Sequence, residues 1–133
     1  MQDTALAADY QQVAQKCQIL VARLRRATGA QVTFSTGDML YLDLRYREPH
    51  ADDGQCPPGA AHPFINLPSG EAYIAPYEGE RPGEPSRTAG VIPAQHDGAL
   101  LRFQVRENRV VDVLGDAAVA DEMRRFFALD EAR

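Results

Sequence analysis

Residues 99–114, ALLRFQVRENRVVDVL, constrain the fold more than any other stretch of the chain, because apolar and polar side chains alternate along them. A period of two is the signature of an extended strand with one buried face. Leu101, Phe103 and Val105 fall on one side, and Arg102, Gln104 and Arg106 on the other. Glu107-Asn108 supplies the turn, and Val111 and Val113 answer from the returning arm. The result is a β-hairpin with an apolar face that a second layer must cover.

The same period recurs upstream. In MLYLDLRY, residues 39–46, Leu40, Leu42, Leu44 and Tyr46 alternate with Tyr41, Asp43 and Arg45. QVTFS (31–35) precedes it across a Thr-Gly-Asp turn, so these two runs form another hairpin. AGVIP (89–93) and Ala72–Ala75 read as short strands, the latter ended by Pro76, which cannot donate to a ladder. Helical spacing occurs only near the two ends. Tyr10, Val13, Cys17, Leu20, Val21 and Leu24 predict a helix over 3–28 that Gly29 stops. Asp116 is placed to cap a second helix over 117–129, with Val119, Met123, Phe126 and Phe127 inward. Strands that follow one another without intervening helices specify an α+β fold. The expectation is a mainly antiparallel or mixed β-sheet with an N-terminal and a C-terminal helix packed on it. Leu20, Leu24, Leu42, Phe103, Val105, Val111, Phe126 and Phe127 are the expected core. A chain of 133 residues fits a single domain, 1–133.

Charge and composition exclude several classes. A formal charge of −5 with no basic cluster argues against a nucleic-acid partner. Arg23, Arg25 and Arg26 fall in the last turn of the first helix, where cations complement the helix dipole. No apolar run reaches the roughly 18 residues of a membrane span. The opening MQDTALAADYQQ lacks the basic and apolar regions of a secretory signal. Cys17 lies on the apolar helix face and Cys56 in a loop, which is neither a disulfide framework nor a zinc motif. A reducing cytoplasm is the expected setting.

Two stretches carry no periodicity: residues 47–63 and 77–88, both rich in Pro, Gly and acidic residues. Loops of that length inside a compact domain are functional or mobile. Between them stands FINLPSGEAYIAP, residues 64–76. Pro68-Ser69-Gly70 makes a tight turn, and Glu71 follows it at the mouth of a strand. A carboxylate there is either solvated or aimed at a ligand. His50 and His62 flank the first loop, with Asp52, Asp53 and Cys56 between them, but their spacing matches no standard zinc pattern. Asp52 and Asp53 suit a turn with Gly54, and His96 sits in another turn. No serine or cysteine has a base beside it in sequence.

The NLPSGEAYIAP run, residues 66–76, resembles the asparagine-x-proline-x-glycine-glutamate segment of the thermophilic metalloaminopeptidases, the aminopeptidase T and leucyl aminopeptidase group. ADDGQCPPGAAHPFI, RTAGVIPA and ALLRFQVRENRVVDVLGD resemble the segments around it, from about Lys16 onward. The resemblance implies that Glu71 is a ligand to a pair of catalytic divalent ions (zinc, cobalt or manganese). It implies a peptide substrate and removal of N-terminal residues by a metal-activated water. In that family a second glutamate, two histidines, a tyrosine and an aspartate complete the set and lie further along the chain. The chain is therefore expected to be a portion of a longer enzyme, inactive and without bound metal by itself. None of His50, His62 or His96 occupies a matching position. Two alternatives are a portion of a related iron-dependent dihydroxypyridine ring-opening dioxygenase and a non-catalytic module that binds protein through its sheet or the APYEGERPGEP loop. An exposed surface on such a portion would favour a homo-oligomer.

Overall fold

The structure, a computed structural model, describes residues 7–59, 64–65, 67–96 and 98–130. Its elements run α1 (Tyr10–Leu24), β1 (Gly29–Thr33), β2 (Met39–Asp43), β3 (His50–Asp52), β4 (Glu71–Tyr73), β5 (Ala89–His96), β6 (Ala99–Arg106), β7 (Arg109–Leu114) and α2 (Ala117–Asp130). A five-stranded antiparallel sheet has the order β1-β2-β5-β6-β7, and β3 pairs with β4 in a small second sheet. This is the α+β arrangement that the run of strands between two helices specifies. The chain divides into two compact units, one of residues up to Ala27 with Tyr46–Ala75, the other of Thr28–Arg45 with Pro76 onward.

The second unit holds the large sheet and α2. The Asp116 side chain accepts from the backbone N–H groups of Ala118 and Val119, so α2 starts where its cap dictates. α2 lays Ala120, Val119, Met123 and Phe127 over Leu101 and Val113, with Phe103 and Val110 at the margin. Phe103 and Phe127 meet edge to face, centroids 5.9 Å apart. Glu107 and Asn108 both have positive φ, the conformation that a two-residue hairpin turn needs to match strand twist.

Three expected core residues are instead exposed. Val111 lies in a β-bulge: Val105 faces Val110 while Gln104 faces Asp112, so Val111 has no register partner and leaves the apolar face. Phe126 sits off the line of Ala120, Met123 and Phe127, and its ring meets that of Phe127 in a T-shaped contact. Leu20 likewise borders the face centred on the buried Cys17 and Val21. β5 also runs on through Pro93, because beyond Gly90 only β6 pairs with it.

In the first unit, Asp9 caps α1 by accepting from Gln11 and Gln12 N–H at 3.0 and 3.2 Å. α1 thus begins at Tyr10, residues 3–6 of the expected helix lie outside the described residues, and the helix ends at Leu24, while Gly29 opens a strand. The stretch 47–63, read from sequence as loop, contains β3, and α1 packs against both β3 and β4.

Candidate functional site

The turn before Glu71 depends on its glycine. Gly70 has φ of 144°, a backbone state that side chains disfavour, and an added Cβ would lie 3.4 Å from Val13 Cγ1 on α1. Gly70 N–H donates to the Asp52 carbonyl at 2.9 Å, which ties the turn to β3. Glu71 then opens β4 directly opposite Asp52, with Ala72 opposite Ala51 and Tyr73 opposite His50. Since side chains alternate along a strand, His50, Asp52, Glu71 and Tyr73 share one face of this ribbon and the two alanines the other. His50 and Tyr73 rings lie 5.6 Å apart. Glu71 is exposed, and among the described residues no hydrogen bond or ion pair engages its carboxylate. The arrangement sets two carboxylates directly across a ladder, a pairing that repels unless a cation lies between or beside them.

The other residues singled out in sequence do not join this face. Asp53 takes a structural role: its Oδ1 accepts from Gln55 N–H at 3.1 Å and its Oδ2 from Gln18 Nε2 at 3.3 Å. Cys17 is buried, and burial, then the charges of Asp53 and Asp52, push its thiol above the usual range, which makes it unreactive. Cys56 is exposed and His96 is the exposed last residue of β5. His62 lies outside the described residues. Among the described residues no three His, Cys, Asp or Glu side chains are grouped to hold a metal ion. Glu71 and Asp52 thus offer part of a ligand set, where a dedicated divalent site needs four or more ligands.

Sequence reading missed a second polar constellation, in the larger unit. Asp43, assigned to the outer face of its strand, is fully buried. Arg45 Nε and Nη2 fork onto its carboxylate at 2.9 and 2.7 Å, and the N–H of Arg87 donates to Oδ2 at 2.9 Å. Its backbone is held too: Asp43 N–H donates to Thr88 Oγ1 at 2.9 Å, and Tyr77 N–H to the Asp43 carbonyl at 2.7 Å. The Arg45 guanidinium lies 5.5 Å from the centre of the buried Tyr77 ring, and Tyr77 Oη donates to the Glu84 carbonyl at 2.9 Å. The segment 77–88, which its composition marks as loose, is therefore fastened at both ends and in the middle. Hydrogen bonding from Arg45 first, then backbone donors, brings the Asp43 carboxyl down to about 2 against the opposing effect of burial. The available signal was the spacing Asp43-x-Arg45, an acid and a base two residues apart where β2 ends and a turn begins.

Comparison of the chain with models of known protein families, with curated proteins and with solved structures finds no match. Among the described residues no helix is long and apolar enough to cross a membrane.

Proposed function

We propose that the chain is a portion of a metal-dependent aminopeptidase-like hydrolase, in which Glu71 is a metal ligand. The observation that carries this reading is the state of Glu71. It is an exposed carboxylate without a partner among the described residues, held at the mouth of β4 by a glycine-dependent turn. The resemblance of residues 66–76 to the metalloaminopeptidase segment gives the carboxylate its role.

Divalent ions bound there would supply an activated water for attack on a peptide carbonyl. Glu71 would contribute negative charge and one or two oxygen ligands, and Gly70 would let the backbone approach closely. Asp52 faces Glu71 across the ribbon and adds to the local negative potential. In the family that residues 66–76 resemble, other segments supply the remaining ligands.

The test is turnover. The protein expressed from its native reading frame should release N-terminal residues from short peptides when supplied with zinc, cobalt or manganese. Glu71→Gln, which keeps the shape and removes the charge, should lower that rate by at least about 100-fold. Equal rates for both proteins would remove the assignment.

A further inference from the structure

The two edges of the five-stranded sheet are built differently. At β7 the bulge at Val111 interrupts the edge. Beyond it, Val113 N–H donates to Asp112 Oδ1 at 2.8 Å, and the Val113 carbonyl accepts from Arg124 Nη2. A bulge and occupied backbone groups are devices that stop another strand from adding.

β1 carries none of these devices. Phe34 N–H donates to the Asp38 carbonyl and Leu44 N–H to the Thr28 carbonyl, which fixes the hydrogen-bonded positions of the β1–β2 ladder at alternate residues, Thr28, Ala30, Val32 and Phe34. The N–H and C=O groups of Gly29, Gln31 and Thr33 consequently point away from β2. Among the described residues no hydrogen bond engages them. The strand reads GAQVT, with no charge, no proline and no bulge.

We propose that β1 is a self-association site, at which two copies of the chain pair β1 with β1 in antiparallel about a twofold axis at Gln31. The register is self-complementary. Gln31 faces Gln31 of the second copy, and Gly29 and Thr33 face each other on both sides of the axis. Each outward residue then exchanges its N–H and C=O with the residue opposite. A second copy fits better than a charged partner strand, because an uncharged edge on a chain of net charge −5 is where two copies meet without like charges opposed. Side chains agree with this register. The Tyr41 ring fills the space over Gly29 that a side chain would take, so Thr33 of the opposing copy would meet this phenol rather than a Gly29 side chain. Among the described residues the Gln31 amide donates to Met39 Sδ at 3.4 Å, a weak acceptor, and its twin across the axis is a better partner. The closed twofold limits the assembly to a dimer.

Sedimentation velocity from about 1 to about 500 µM tests this, with a dimer expected at the upper end. Gln31→Pro removes an outward N–H and no bond of the β1–β2 ladder. It should weaken dimerisation by at least about 10-fold while the far-ultraviolet circular dichroism of the monomer stays unchanged. Gln31→Lys places two ammonium groups across the axis and should weaken it in a way that added salt partly reverses. If Gln31→Pro does not fold, the lysine variant decides. A monomer at every concentration, or a dimer that the substitutions leave intact, overturns the proposal.

Discussion

Asp43 and Glu71 both stand on short strands that border a proline- and glycine-rich segment, yet the chain treats them in opposite ways. Asp43 is sealed from solvent, and its oxygens are taken by Arg45 and the Arg87 backbone. Glu71 is exposed and, among the described residues, has no partner. A buried charge is tolerated only with its partners in place, because removing an ion from water costs more than any single contact returns. A carboxylate that must receive a ligand from outside cannot be so satisfied in advance. The difference separates a carboxylate that fastens a loop from one left to solvent.

The largest effect should follow from breaking the fastened one. Arg45→Ala leaves the Asp43 carboxylate buried beside fewer donors and should cost about 3–5 kcal/mol of stability, read from urea denaturation. Segment 77–88 should loosen with it, seen as loss of the near-ultraviolet signal of Tyr77. Acid acts on the same group more gently. Its folded carboxyl titrates at about 2, below the ordinary value of 3.8, so its stabilisation is complete above about pH 4 and disappears as the pH falls toward 2. That loss amounts to about 2 kcal/mol, and Asp43→Asn should abolish this part of the pH dependence. Arg124 offers a milder contrast. It binds Asp112 and Asp121 at 2.9 and 2.6 Å, but all three side chains are well exposed. Arg124→Ala should therefore shift the urea midpoint far less than Arg45→Ala. Glu71→Gln should be the smallest, with a melting temperature within about 2 °C of the parent. A large destabilisation there would mean that Glu71 is structural.

How far the sequence reveals this division depends on the residue. Alternation in 99–114 and the Asp116 cap placed β6, β7 and α2 closely, since period and capping are local properties. Val111 and Phe126 escaped, because a bulge and the rotation of a helix on its sheet are set by packing with partners distant in sequence. β3 escaped because three residues are too few to show a period. Asp43 escaped because its partners Tyr77, Arg87 and Thr88 lie far along the chain and two of them bond through their backbone N–H groups. Glu71 was legible as a position, after a turn and at a strand start, and its exposure follows from that position. Asp52 opposite it was not, since the register depends on β3.

Among the described residues Glu71 has no partner, and the proposal is that a divalent ion takes that place. The most direct test is metal content after dialysis against zinc, cobalt or manganese, in the protein expressed from its native reading frame, for the parent and for Glu71→Gln. The parent should retain divalent metal, and the variant, equally folded by circular dichroism, should lose most of it. Equal metal in both proteins, or none in either, would contradict the assignment of Glu71 as a ligand.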